Sequence, residues 1–131
     1  MLDNEKKTLS EYRLIRAEEL IADAEKLFES GSFKSANNRA YYSIFASMRA
    51  VIALEGVDFK KHSGVIQYFQ REHIKTGHFD KQYSNIIMNA STVRNASDYD
   101  DFYIAAKEET KQQIEDAKAF LKAVREFLEN A

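Results

Sequence analysis

The residues best suited to bind a phosphate group lie in one polar stretch, Arg94-Asn95-Ala96-Ser97-Asp98-Tyr99-Asp100-Asp101. Arginine suits phosphate because its planar guanidinium donates two parallel hydrogen bonds and does not lose its proton. The amide, hydroxyl, carboxylate and phenol groups that follow can orient this cation or contact a ligand. The alternative is structural, with an Asx-type turn and a surface ion pair between Arg94 and Asp98.

A second polar group interrupts a strongly apolar segment, in the stretch Asn37-Asn38-Arg39-Ala40-Tyr41-Tyr42-Ser43-Ile44-Phe45. Asparagine disfavours helix interiors, so a pair of them near a helix start indicates either a cap or a polar task. The sequence leaves open whether Asn38 and Tyr41 face the Arg94 region or the interior.

Several other chemistries have no support in the sequence. Cysteine is absent, which excludes disulfides and thiolate metal sites, and the few glycines form neither a P-loop nor a Rossmann loop. His73 and His78 are five residues apart, which does not place both on one helix face, and the Asp98–Asp101 cluster lacks the glycine and spacing of an EF-hand loop. We expect no metal and no cofactor.

The elements that position these residues follow from the spacing of apolar side chains. This spacing predicts helices over about 8–30, 33–54, 63–75, 81–96 and 101–128. The four glycines fall between these segments or at their edges, as expected of residues that end helices. Thr8 and Glu11 fit a capping box, and Ser97 or Asp98 is a candidate cap for the last helix. The chain of 131 residues is expected to form a single all-α domain, with a core over about 8–128 and two long helices packed antiparallel.

Charge and hydropathy limit the location and the partners. The net charge is −2, but residues 1–32 carry −3, residues 33–94 carry +5 and residues 95–131 carry −4. The basic middle predicts either a local anion-binding surface or solvated faces paired with the acidic flanks. No apolar run approaches the roughly 20 residues of a membrane helix, and the first residues lack the apolar core of a secretory signal. We expect a cytoplasmic protein with no membrane contact.

Taken in order, these motifs resemble the HEPN domain (higher eukaryotes and prokaryotes nucleotide-binding). The resemblance covers about 8–128 and is strongest to the small stand-alone prokaryotic proteins of that superfamily. The matching residues are Asn38-Arg39-Ala40-Tyr41-Tyr42 with Phe45, Lys61-His62-Ser63-Gly64, Phe69, Thr76-Gly77, and Arg94 with Asp98-Tyr99-Asp100.

The resemblance implies an up-and-down bundle of about five helices that forms a homodimer. Many such domains are metal-independent ribonucleases, and many are toxins encoded beside a minimal nucleotidyltransferase that acts as antitoxin. In the family signature, an arginine is followed by a histidine after four to six residues, and the two copies in a dimer form one site. The arginine stabilises the charge of the scissile phosphate, and the histidine moves a proton near neutral pH.

This sequence departs from the signature because no histidine follows Arg94, and Tyr99 stands after four intervening residues. A phenol with a pKa near 10 is a poor general base at pH 7. By resemblance, Tyr99, or with less support Tyr103, is a candidate for adenylate modification by the partner enzyme. His62 is a candidate to approach Arg94; its alternative role is a helix-start residue bonded to the backbone. The candidate catalytic residues are Arg94 and Tyr99, and the candidate binding residues are Arg94, Asn95, Asp98, Asn38, Tyr41 and His62.

Three functions are compatible with these residues. The favoured one is a toxin–antitoxin component that binds nucleotide or RNA phosphate through Arg94 at a dimer interface and pairs with a nucleotidyltransferase. The second is an active metal-independent ribonuclease toxin. The third is a non-catalytic helical dimerisation or scaffold module.

Overall fold

The computed structural model describes residues 3–131, and these form an all-α bundle, as predicted. It contains five helices, with one π-helical turn at Gln70–Ile74 that continues the third helix. The helices are α1 (Asp3–Glu29), α2 (Phe33–Ala53), α3 (His62–Phe69), α4 (Gln82–Tyr99) and α5 (Lys107–Glu129). No helix in this described part is long and apolar enough to cross a membrane.

Helix α2 is the centre of the bundle and contacts all four other helices. It alternates small alanines with large apolar residues, so neighbouring helices approach it closely. The largest fully buried side chains include Tyr41, Ile44, Met48, Ile52, Phe69, Ile87 and Phe120. Each side chain of this size contributes about 1.5–3 kcal/mol when it leaves water, which explains why α2 holds the bundle together.

Helices α1 and α2 pack antiparallel, as predicted for two long helices. Ser10 donates a hydrogen bond to the carbonyl of Ala50, and Ser43 donates one to the carbonyl of Ala17. The start of α1 therefore lies beside the end of α2, and the two helices run in opposite directions. The connection between the helices turns at Gly31, whose φ of 81° is a left-handed conformation that side chains disfavour. This short turn makes the α1–α2 hairpin the most extensive contact of the fold.

Gly64 was predicted to lie at the edge of a helical segment, and it lies in the first turn of α3. A Cβ at this position would lie 2.9 Å from the Cβ of Phe59. The glycine therefore allows the first turn of α3 to pack directly against the preceding loop.

Three predicted helix ends are wrong. Helix α1 begins by Asp3, and the Thr8 hydroxyl donates to the carbonyl of Asn4 within the helix, so there is no capping box at Thr8. Helix α4 continues to Tyr99, and α5 begins only at Lys107. Ser97 and Asp98 therefore cap nothing.

Candidate functional site

The polar residues of α2 and α4 face each other across the contact between these two helices. The Asn37 amide donates to the hydroxyl of Ser97 over 3.3 Å, and the Asn38 amide donates to the Asp98 carboxylate over 3.1 Å. Asn37 is buried and Asn38 is half-buried. The two asparagines thus have a polar task, the fastening of α2 to α4, and they do not cap α2.

Arg94 lies at the centre of this contact, with a side chain that is 16% exposed. Its Nη2 donates to the hydroxyl of Tyr42 over 2.9 Å, and its Nη1 donates to the amide oxygen of Asn95 over 3.1 Å. Its Nε lies 3.1 Å from a carboxylate oxygen of Asp98 but makes no hydrogen bond. We call Arg94 and the residues around it, namely Asn38, Tyr41, Tyr42, His62, Asn95, Asp98 and Tyr99, the Arg94 cluster.

Three tyrosine rings surround the guanidinium of Arg94. Its central carbon lies 5.2 Å from the ring centre of Tyr41, 5.4 Å from that of Tyr42 and 5.5 Å from that of Tyr99. At these distances the negative face of an aromatic ring attracts a cation. The rings hold the guanidinium in place without neutralising it, unlike a carboxylate.

The protonation states in the cluster follow from burial and from these neighbours. Burial alone would lower the pKa of Arg94, but Tyr42, Tyr99 and Asp98 outweigh it and raise this pKa, so Arg94 is a permanent cation. Burial raises the pKa of Tyr41 to about 12, although Arg94 opposes the shift. Tyr41 therefore keeps its proton at neutral pH.

His62, the first residue of α3, joins the cluster from a different part of the chain. Its Nδ1 lies 3.0 Å from the hydroxyl of Tyr41, and its ring centre lies 4.2 Å from that of Phe45. Burial lowers the pKa of His62, and the positive charges of Arg94 and Arg49 lower it further. His62 is therefore neutral near pH 7, and its partner is a side chain rather than the backbone.

The loop before α3 brings His62 to this place. One Asp58 carboxylate oxygen accepts hydrogen bonds from Arg13 of α1, over 3.2 Å, and from Arg49 of α2, over 2.9 Å. Burial favours the neutral acid, but the hydrogen bonds from Arg49 and from the backbone N–H of Phe59 lower the pKa of Asp58. Asp58 thus stays charged and fastens the loop to the α1–α2 hairpin.

The structure brings together all seven residues predicted for the site. The structural alternative is confirmed in part: Oδ1 of Asp100 accepts a hydrogen bond from the backbone N–H of Phe102 over 3.0 Å, which is an Asx-type turn, and it follows directly after the end of α4 at Tyr99. The Arg94–Asp98 ion pair does exist, at the i,i+4 spacing of a helix. Sequence reasoning missed Tyr42 as a partner of Arg94, although its spacing of four from Asn38 places both on one face of α2.

Tyr103, the second candidate for modification, lies outside the cluster. Its hydroxyl donates to the carboxylate of Glu109, and burial and this carboxylate raise the pKa of Tyr103 to about 12. Tyr99, in contrast, is 72% exposed.

The two remaining histidines form a separate contact. The Nδ1 atoms of His73 and His78 are 3.1 Å apart, and the other ring nitrogen of His73 lies 2.7 Å from Glu55. Within residues 3–131, no three His, Asp or Glu side chains are placed to share a metal ion.

The fold and the cluster describe a small all-helical domain whose polar residues converge on one permanent cation. Residues 10–127 match the HEPN domain, and the chain belongs to the HEPN family, as its resemblance predicted. A "UPF0332 protein" of Thermotoga maritima is 35% identical over 127 residues, which are 97% of this chain and 96% of that protein.

Two similar proteins of Methanocaldococcus jannaschii carry names that state a role. "Putative toxin MJ0142" is 32% identical over 113 residues, which are 86% of this chain and 77% of that protein. "Putative toxin MJ0605" is 32% identical over 112 residues, which are 86% of this chain and 83% of that protein.

Proposed function

We propose that this chain is a toxin-type HEPN protein that binds the phosphate of a nucleotide or RNA through Arg94. A guanidinium has five N–H donors, and Arg94 gives one from Nη2 to Tyr42 and one from Nη1 to Asn95. One N–H therefore remains on each terminal nitrogen, and a phosphate accepts such a pair bidentately. The observation that carries the proposal is this pair of N–H donors on a guanidinium held among three tyrosine rings, whose neighbouring carboxylate, Asp98, lies at Nε and not at the terminal nitrogens.

A second copy of the chain completes the site in this proposal. Phe102 and Ile104 lie just after the end of α4, and they are 94% and 87% exposed. Large apolar side chains grouped in this way are typical of a surface that a partner covers. A two-fold interface at this place would bring two Arg94 residues near each other.

Binding in EDTA tests the phosphate site. Arg94→Ala is compared with Arg71→Ala, which removes an arginine of 63% side-chain exposure outside the cluster. Fluorescein-labelled single-stranded RNA and AMP serve as probes, and a thermal melt reports folding. We expect a folded Arg94→Ala protein that has lost binding, while Arg71→Ala binds as the wild type does. Unchanged binding in folded Arg94→Ala would instead favour the scaffold function.

Pairing with a nucleotidyltransferase is the regulatory part of the proposal, and the toxin-named relatives support it. The phenol oxygen of Tyr99 would attack the α-phosphorus of ATP, lose its proton to solvent and release pyrophosphate. Exposure favours Tyr99, since Tyr103 is bonded to Glu109. Peptide mass spectrometry of the protein from its own cells should find adenylate on Tyr99. Adenylate on Tyr103 alone would contradict this choice.

Metal-independent RNA cleavage is the second candidate function, and the position of His62 favours it. If Nδ1–H donates to Tyr41, Nε2 of neutral His62 can accept the proton of a ribose 2′-hydroxyl. The 2′-oxygen then attacks phosphorus, the 5′-oxygen leaves and takes a proton from water, and a 2′,3′-cyclic phosphate forms. Arg94 would stabilise the charge that develops on the phosphate.

RNA cleavage in EDTA tests this second function. We expect wild-type cleavage that falls below detection in Arg94→Ala and in His62→Gln. In wild type, the rate should rise with pH through the pKa of His62. Cleavage that His62→Gln leaves unchanged would contradict the role of His62 but not the phosphate site.

A further inference from the structure

A groove that adjoins the Arg94 cluster runs along the hairpin of α1 and α2 and has a volume of about 610 Å³. Its walls are formed by residues at helical spacing on both helices. Four arginines line it, namely Arg13 and Arg16 from α1 and Arg39 and Arg49 from α2, together with one acidic residue, Asp23. The motifs identified in the sequence include neither Arg13 nor Arg16.

The arginines of the groove keep an excess of positive charge. Arg13 and Arg49 share the single carboxylate of Asp58, so two positive charges are paired with one negative charge. Arg39 donates to the neutral amide of Asn38. Arg16 is half exposed and lies 3.7 Å from Glu19, a weak surface contact. The four arginines thus outnumber the carboxylates of Asp58, Glu19 and Asp23, and this excess of positive charge favours an anionic ligand.

An aromatic ring is available beside these cations. Tyr12 lines the groove, is 66% exposed, and lies four residues before Arg16, so both side chains project from one face of α1. Basic grooves with exposed aromatic rings are typical of single-stranded nucleic acid sites, since bases stack on the rings and phosphates contact the cations. An acidic peptide would use the arginines but has no group that must stack on Tyr12.

The groove adjoins the Arg94 cluster, because Asn38 and Tyr42 belong to both. From Asn38 to Arg49, α2 rises by about 16 Å. This is the length of roughly four to five nucleotides stacked at about 3.4 Å each. A strand with one phosphate at Arg94 can therefore continue along the groove.

We propose that the α1–α2 groove binds a single-stranded RNA segment that extends from the phosphate held at Arg94, with a base stacked on Tyr12 and a phosphate at Arg16. The inference rests on the proposed function of the Arg94 cluster. It adds that the ligand is an oligonucleotide rather than a mononucleotide, and that α1 supplies part of its site.

Anisotropy titrations with fluorescein-labelled single-stranded RNA of about ten nucleotides test the groove. Tyr12→Ala should weaken binding by at least about fivefold, the loss of one stacked base. Arg16→Ala should weaken binding and reduce the slope of log K against log salt by about 0.7, the loss of one phosphate contact. Arg71→Ala is the charge-matched control and should change neither quantity.

A dinucleotide separates the groove from the Arg94 cluster. Binding of ApU, followed by NMR titration, should fall less in the two α1 variants than binding of the oligonucleotide does. Thermal melts verify that these variants of exposed residues stay folded.

Three results would overturn the inference. Oligonucleotide binding that is unchanged in both α1 variants but lost in Arg94→Ala would reject the groove and retain the proposed function. Failure of the wild type to bind either probe would reject both. Competition by polyglutamate as strong as that by unlabelled RNA would assign the groove to an acidic protein segment.

Discussion

Arg94→Lys separates the shape of the cation at the site from its charge. In the wild type, the three guanidinium nitrogens face Tyr42, Asn95 and Asp98 separately, and the plane is surrounded by tyrosine rings. A lysine ammonium is a point charge that cannot reach these three groups at once and cannot present two parallel donors to a phosphate. The variant therefore keeps the net charge but loses the pair of parallel N–H donors.

The expected magnitudes follow from these contacts. A hydrogen bond to a charged group contributes about 1.5–3 kcal/mol, so the loss of one bidentate arm should weaken RNA binding by about 10- to 150-fold. The loss of the Tyr42 hydrogen bond and of part of the ring contacts should cost about 1–2 kcal/mol of folding free energy. For a chain of this size, this corresponds to a fall in Tm of roughly 3–12 °C.

The assay combines a fluorescence titration of labelled RNA with a thermal melt of the same preparation. Titrations at two salt concentrations should show a similar salt slope for both proteins, because the net charge is unchanged. Binding by a folded Arg94→Lys protein within about threefold of the wild type would refute the argument from guanidinium geometry. The site would then depend on charge alone.

Further predictions concern pH, the first turn and the dimer. The folded-state pKa of His62 lies below its ordinary 6.5, so the unfolded chain binds more protons as the pH falls below about 6.5. Urea unfolding should therefore show stability lost from this pH downward to the folded pKa, and His62→Gln should flatten this loss; an unchanged profile would be contrary evidence. Gly31→Ala should lower the free energy of unfolding by about 1 kcal/mol, because alanine is strained at the φ of 81°, and a melt that is unchanged would contradict this. The double substitution of Phe102 and Ile104 by serine should convert a dimer to a monomer in light scattering at micromolar concentration; a persistent dimer would place the interface elsewhere.

Much of the candidate site could be predicted from local sequence. Arg94, Asn95, Asp98 and Tyr99 lie within six residues, so any helix or turn keeps them together. Their hydrogen-bond partners could not be found in the same way. Tyr42 is the acceptor for Arg94 because α2 and α4 pack side by side. The spacing of residues within either helix does not predict this packing.

The failed helix ends have a similar cause. Thr8, Ser97 and Asp98 have the residue types of caps, and local propensity alone assigns them to helix ends. In the bundle, the side chains of Ser97 and Asp98 accept hydrogen bonds from Asn37 and Asn38 instead. Contacts between helices outweigh local preference here, and α4 continues beyond the predicted end.

The sequence by itself determined that the chain is all-α, approximately where its helices lie, and that Asn95, Asp98 and Tyr99 are close to Arg94, because helical spacing and residue type are local properties. Only the tertiary structure decided that His62 joins Arg94, since the intervening loop is fastened by Asp58 to both α1 and α2. The tertiary structure also decided that Arg16, in an acidic segment, lines a basic groove. Charge counted along the chain assigns Arg16 to a net negative region, whereas the packing of α1 against α2 brings Arg39 and Arg49 to the same groove.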